Sequence, residues 1–546
     1  MADGHEIAAA AIAQNLVGPA FGLLGNANLV TMNHFVQSGR TLHTSQHESG
    51  AVCMAAGYAR AADTVGFATV TRGPGLANAI TALTSAVRDR VPLVVFAGDS
   101  PPGNPHTPQY LDHAKVANLT GARFIDGSAG GLRALVDAAF TLAAFESQPV
   151  LLNIPTNRLD EADTPHAHGP IPHDPLAGAA FWNDTPPVEP ARIQTAVARL
   201  RHSQRPVVLA GRGANNTEVT RQLRAIGDWS GALFATSLPA VGRFAASEYD
   251  VGFAGGFATP AVNQLLAEAD VVLAVGASLN EHTTANGRLF ADAFVVHADR
   301  DPGVIGRQTR ADLALVGDAA DTVAALAAAV AGAGPAQTGY RTPQVAARIA
   351  ASRRALDHEV MHTSRSVDPR AALRAIDDAI TPTRRVVVDV GHFSTFPCQT
   401  MPAAFAGQLL PALGFAAVGL GVPTAIGAAL ATDDPVVAVV GDGGMLMSLP
   451  ELRTLARTGA RVVVAVLNDA AYGAEVHHLR RRGLVDAVAR FDATDFVAVA
   501  EALGIPAARI DAPDDLDRLP TLLSSLDGPQ LLDITINPAV VADKFQ

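Results

Sequence analysis

The amino-acid sequence predicts an α/β protein made of three doubly wound parallel-sheet domains. Short runs of Val, Ile, Leu and Ala recur between longer helical patterns, and continuous apolar strands between helices point to parallel sheets covered on both faces. The length, 546 residues, exceeds one ordinary core and fits three domains of roughly 150–200 residues each. Two stretches dense in Pro, Gly and small residues then punctuate the chain.

The first segment, residues 1–165, carries the runs VGFATV, PLVVFAG and PVLLNIP. Thr164 to Pro190 is so rich in proline that it reads as a connector, because each ring removes a backbone donor and disfavours helix before it. Residues 190–333 follow with PVVLAG, DVVLAVGA and FVVHAD, and a second connector, AGAGPAQTGYRTP, spans Ala331 to Pro343. The third segment, residues 366–546, contains RVVVDVG, PVVAVVGD and RVVVAVLND. In such sheets ligands bind beyond the carboxyl ends of the strands, so the residues after these runs are where chemistry is sought.

Composition narrows the function classes. The chain is 49% hydrophobic and 17% charged, as suits a large enzyme rather than a disordered chain. A formal net charge of -12 disfavours nucleic acid and anionic lipid as partners, so a phosphate ligand here needs a metal or a local cradle. Cys53 and Cys398 lie far apart and suggest neither a disulfide framework nor a thiolate metal site, which fits a cytoplasmic protein. The start, MADGHEIAAAAIAQNL, lacks a signal-peptide pattern, and no apolar stretch of about 20 residues escapes Gly, Pro or charge.

In the third segment one buried strand is expected to end at Val440 and a second at Leu467, so Asp442 and Asp469 emerge at the same edge of one sheet. Hard oxygen ligands at neighbouring strand ends suit magnesium with a phosphate in its shell. Gly441, Gly443 and Gly444 allow close backbone approach to that phosphate, and the following helix offers free N–H groups. Taken singly, G-D-G-G is a tight turn and Asn468-Asp469 a helix cap. Together they resemble the thiamine diphosphate signature, which opens on GDG and closes about 30 residues later on an Asn-Asn or Asn-Asp pair. The resemblance implies a metal held by Asp442, Asp469 and the Ala471 carbonyl, with Tyr472 beside the cofactor. Upstream, VVVDVGHFSTF with its strand end at Val390, and GFAAVGLGVPTAIGAAL, are similar to the family stretches that put Gly391 and His392 near the diphosphate. By the same likeness Val418 is the bulky residue that bends the cofactor.

In the first segment, TSQHESGAVCMAAGYARA places Glu48 at the start of a helix of small residues. A carboxylate there is ordinarily a favourable dipole partner. HE followed by AAGYAR also resembles the family motif whose glutamate bonds the aminopyrimidine ring and activates the cofactor, which needs a carboxylic acid able to hold and pass a proton. TRGPGLANAITAL resembles the GPG-x-x-N loop of the same family, implying cofactor contacts at Gly73 and Asn78. Because the glutamate and the diphosphate site lie in different segments, the family builds each active site between two subunits. A homodimer is then the smallest active unit, and a homotetramer is common among relatives.

The resemblance runs in the order pyrimidine-binding, middle and diphosphate-binding domain and is greatest to the acetolactate synthase-like branch. HTPQYLDHAKVANLTGARF is similar to the segment that brings a glutamine to the reacting carbons, here Gln109, while Pro108 and Thr156 stand where those synthases have Phe and Lys. Glu475 and His477, on the helix after the metal loop, are candidates for proton transfer, with a solvated helix face as the plainer account. The middle segment looks like the nucleotide-type domain that holds FAD or ADP in some relatives and is empty in many. The implied function is decarboxylation of a 2-oxo acid with transfer of the enamine fragment to an acceptor. A simple decarboxylase releasing aldehyde and a non-catalytic ligand-binding relative are the alternatives.

Overall fold

In the computed structural model, which describes residues 3–102, 106–161, 187–353, 359–542 and 545, the apolar runs form three sheets of six parallel strands. The first contains β1 (Ala20–Gly22), β2 (Leu42–Thr44), β3 (Gly66–Val70), β4 (Leu93–Asp99), β5 (Arg123–Asp126) and β6 (Pro149–Pro155), in the order β2-β1-β3-β4-β6-β5. The second contains β7 (Pro206–Ala210), β8 (Leu233–Thr236), β9 (Asp250–Phe253), β10 (Val271–Val275), β11 (Phe294–Asp299) and β12 (Leu313–Val316), in the order β12-β11-β10-β7-β8-β9. The third contains β13 (Arg385–Val388), β14 (Leu409–Pro411), β15 (Val436–Gly441), β16 (Val462–Asn468), β17 (Ala507–Ile510) and β18 (Gln530–Thr535), and repeats the order of the first as β14-β13-β15-β16-β18-β17. Residues of β3, β4, β15 and β16 are buried along nearly their whole length, because helices cover both faces.

The chain gathers into two compact units. One comprises Met1–Ala180, Met361–Ser394 and Leu410–Val540 and carries the first and third sheets; the other comprises Phe181–Val360, Thr395–Leu409 and Val541–Gln546 and carries the second. The connector read from Thr164 to Pro190 lies almost wholly outside the described residues, as does the end of the first segment at residue 165. The stretch from Ala331 to Pro343 is fastened to its own unit. Trp229 Nε1 donates to the Gly334 carbonyl at 3.0 Å, and the buried Tyr340 donates its hydroxyl to Glu268 at 2.8 Å. Those anchors give a segment of small residues tertiary partners that its composition does not advertise.

The second sheet has the strand order of a dinucleotide-binding fold, with its topological switch between β7 and β10. At that point Gly211 and Gly276 lie backbone on backbone, and a Cβ on Gly211 would fall 2.1 Å from the Gly276 carbonyl oxygen. The fold itself therefore requires these glycines, with or without a nucleotide.

Small residues decide the packing between the first and third sheets. The helix Glu48–Ala62 presents Ala51, Ala55 and Gly57, and the helix Gly421–Ala429 presents Thr424 and Gly427. A Cβ on Gly57 would lie 2.0 Å from the Thr424 carbonyl oxygen, and one on Gly427 would lie 1.8 Å from that of Met54. One hydrophobic cluster runs through this contact, from Val52, Met54 and Leu83 to Val422, Ile426 and Val464.

Gly427→Ala tests the contact by its sign. In an exposed helix the change would stabilise by about 1 kcal/mol, whereas here a forced backbone shift is expected to destabilise by about 1–3 kcal/mol. Urea unfolding measures the difference, and Gly528→Ala, where nothing lies within 4 Å of the added methyl, should not lower the midpoint.

Candidate active site

Register places the two acidic residues of the third sheet together. Gly441 of β15 pairs with Leu467 of β16, so the chain leaves both strands side by side. Asp442 is the first residue of the helix Asp442–Ser448 with Gly441 as its cap, so Gly443 and Gly444 are helical rather than part of a turn. Its buried carboxylate accepts from the amide of Gly443 at 2.7 Å, of Asp469 at 3.2 Å and of Ala471 at 3.3 Å. The Asp469 loop is folded onto this side chain through Ala470, whose φ of 54° is a left-handed conformation that a non-glycine residue seldom adopts.

The electrostatics of the pair favour a cation. Burial pushes Asp442 up to about 6 against the pull of its amide donors, and burial together with the Asp442 charge pushes Asp469 up to about 7. Two carboxylates that resist ionising together are the arrangement a divalent cation reverses. The Ala471 carbonyl receives no hydrogen bond from the described residues, which completes a set of hard oxygen donors suited to magnesium. Among the described residues no group of three or more His, Cys, Asp and Glu side chains is arranged to hold a metal ion; this candidate set holds two carboxylates and a carbonyl.

Asp389 supports that edge. β13 stops at Val388, short of the Val390 expected from the apolar run, because Asp389 turns its buried carboxylate into the amides of Val390 at 2.8 Å and Gly419 at 3.0 Å. Burial raises it to about 6, and the amides of Leu420 and Gly421 also hold it. This ties down the loop bearing Val418, whose Cγ1 would lie 3.3 Å from a Cβ on Gly444. The glycines here serve packing: a Cβ on Gly443 would strike the Tyr472 ring at 2.5 Å, one on Gly441 the Phe393 ring at 2.9 Å, and one on Gly473 the His392 ring at 2.4 Å. Gly391 similarly lies under Phe393.

The helix Gly473–Arg481 turns its two candidate residues in opposite senses. Glu475 is exposed, whereas His477 is buried with its ring centroid 5.0 Å from that of His392. Burial and then the nearby Arg480 and Arg481 charges lower the His477 pKa, so it is neutral near pH 7.

At the carboxyl edge of the first sheet, Glu48 begins its helix behind the cap His47 and is buried. Asn78 Nδ2 donates to Glu48 Oε2 at 3.0 Å, and a Cβ on Gly75 would lie 3.4 Å from Oε1. Gly73, at φ 60°, caps the helix Pro74–Arg88, and a Cβ there would meet the Gln109 carbonyl oxygen at 2.3 Å. Glu48, Gly73, Asn78 and Gln109 thus form one neighbourhood.

Two further residues join this neighbourhood beyond the candidates named from the sequence. Arg72 donates through Nε to Gln109 Oε1 at 3.2 Å and through Nη1 to Thr156 Oγ1 at 3.4 Å. Glu451, nine residues beyond Asp442 in the sequence, is buried and accepts from the amides of Gln46 and His47 at 3.0 Å each, beside Glu48. A Glu at a helix start reads as an ordinary dipole partner, so only its long-range bonds reveal it.

The chain matches, in order, the N-terminal TPP binding domain of the thiamine pyrophosphate enzymes over residues 2–116, their central domain over 193–326 and their C-terminal TPP binding domain over 389–534. It is 28% identical to a probable acetolactate synthase large subunit of Methanocaldococcus jannaschii, over 95% of this chain and 89% of that protein. A putative acetolactate synthase large subunit of Mycobacterium tuberculosis is 28% identical over 91% of this chain and 90% of its own length. The acetolactate synthase isozyme 2 large subunit of Escherichia coli is 28% identical over 95% and 93%. With the three matched domains in family order and the acidic pair at the edge of the third sheet, the chain belongs to the thiamine pyrophosphate enzymes and is a thiamine diphosphate-dependent enzyme resembling acetolactate synthases.

Proposed function

We propose that the protein decarboxylates a 2-oxo acid and couples the remaining fragment to a carbonyl acceptor, as an acetolactate synthase-like carboligase. The observation that carries this reading is the Glu48–Asn78 pair sharing one sheet edge with Gln109. Thiamine diphosphate, when bound, supplies the carbon nucleophile and electron sink that side chains lack. Asp442, Asp469 and the Ala471 carbonyl would hold magnesium, and the backbone near Gly441, Gly443 and Gly444, with Gly391 and His392, would face the diphosphate. Val418 and Tyr472 would pack against the rings.

Glu48 holds a proton at its carboxyl and passes it to or from the aminopyrimidine ring, while Asn78 fixes the carboxyl rotamer. Gln109 orients the acceptor. His477, buried and neutral, is the better placed of the two helix candidates to take up or release a proton; Glu475 faces solvent.

Oligomerisation belongs to the same reading. Phe415, Met447, Tyr472, Leu484, Val485 and Val488 are large apolar side chains exposed on this chain, and a second subunit in a homodimer or homotetramer would cover such surface. No helix of the described residues is long and apolar enough to cross a membrane, and both cysteines are buried. A cytoplasmic location agrees with these features. FAD or ADP in the middle domain is not needed by this chemistry, and an absorbance spectrum of the purified protein reads the flavin directly.

Three outcomes are expected. Asp442→Ala should fold yet bind thiamine diphosphate with magnesium at least about 10²-fold more weakly, because an acidic protein would lose a ligand of the cation that offsets its repulsion of a diphosphate; calorimetric titration measures this, and unchanged affinity removes Asp442 from the site. Glu48→Gln should keep the cofactor bound but slow exchange of its thiazolium proton into deuterated water by about 10²-fold or more, read by quenched NMR. Gln109→Ala should shift products from coupled 2-hydroxyketone-type compounds toward free aldehyde, since misplacing the acceptor harms coupling more than decarboxylation. Chromatographic product ratios separate those fates, and aldehyde dominating in the wild type at saturating acceptor would replace carboligation with simple decarboxylation.

A further inference from the structure

Arg72 leaves β3 at the carboxyl edge of the first sheet, one residue before the Gly73 cap. β3, β4 and β6 are neighbours in that sheet, so Arg72 after β3 and Thr156 after β6 rise from the same edge, and the Gln109 backbone packs onto Gly73. The guanidinium is half-buried, and its hydrogen-bond partners, Gln109 Oε1 and Thr156 Oγ1, are both neutral. Among the described residues no Asp or Glu pairs with it. That is a choice rather than a shortage, since the chain has 52 acidic residues against 40 Lys and Arg.

A guanidinium offers five N–H donors in a planar fork. Nε and Nη1 each commit one to a neutral acceptor, which fixes the plane, and the remaining donors lie at the end of the fork that matches a carboxylate bidentately. Glu48 and Asn78, which the proposed function assigns to the cofactor ring, stand on the adjoining helices. We propose that Arg72 binds the carboxylate of the 2-oxo acid substrate, with Gln109 and Thr156 holding its guanidinium flat. This rests on the thiamine-dependent reading above and adds the group that selects acids over neutral carbonyls. No bond is made or broken at Arg72; its role is recognition.

The test uses the full-length enzyme loaded with thiamine diphosphate and magnesium, and the variants Arg72→Gln and Arg72→Lys. Oxamate, an unreactive 2-oxo acid isostere, is titrated calorimetrically into each. Arg72→Gln should bind it about 10- to 100-fold more weakly, the range of one charged bidentate contact. Arg72→Lys should fall between, because it keeps the charge and loses the fork. Kinetics then identify which carboxylate is held. A higher KM for the donor acid with either an acid or an aldehyde acceptor assigns the donor, and a higher KM confined to the acid acceptor assigns the acceptor; both support the proposal. Equal oxamate affinity in wild type and Arg72→Gln overturns it. So does a parallel fall in Tm and in aldehyde use in both variants, which would make Arg72 a brace for the Gln109 loop. Failure of the wild type to convert any 2-oxo acid, with oxamate still bound through Arg72, would instead count against the proposed function.

Discussion

Two helices that touch through their backbones fix how the first and third sheets pack. The Glu48 helix and the Gly421–Ala429 helix approach so closely at Gly57, Met54, Thr424 and Gly427 that no side chain fits between them. The first begins with the carboxylate of Glu48, and the second follows directly on the loop of Val418. Because dense cores transmit displacement instead of absorbing it, a shift at this contact would move both ends. Small residues along Ala51, Ala55 and Gly57 therefore set the spacing between the Glu48 and Val418 segments.

Backbone amides hold three buried carboxylates on this unit. Asp389 is held by Val390 and Gly419, Asp442 by Gly443, Asp469 and Ala471, and Glu451 by Gln46 and His47. Burial raises the pKa of all three. Amides offer directed dipoles without neutralising the charge, so each carboxylate orders a loop and keeps its affinity for a proton or a metal. Asp469, with fewer such donors and Asp442 nearby, shows the consequence in its greater shift.

Arg72 is the converse case, a cation supplied with neutral acceptors. The third sheet thus carries an acid held by backbone amides, and the first a base held by a side-chain amide and a hydroxyl.

Much of this was legible in the sequence. The apolar runs marked buried parallel strands because both faces of such strands are covered, and the spacing from Asp442 to Asp469 put both acids at adjacent strand ends because one strand–helix–strand unit fills it. Glu48, Gly73 and Asn78 were visible as motifs at helix starts. Sequence alone did not disclose the long-range partners. The bonds of Glu451 and Arg72 exist only because the fold brings Gln46, Gln109 and Thr156 within hydrogen-bonding distance. Likewise β13 ends early because Asp389 finds amides 30 residues away at Gly419, and His477 turns inward while Glu475 stays in solvent because the helix packs one face against His392. Local chemistry and periodicity determined the strands, the helix starts and the acidic pair; burial and partners distant in the chain, which no local pattern encodes, decided which charges are held and which remain available.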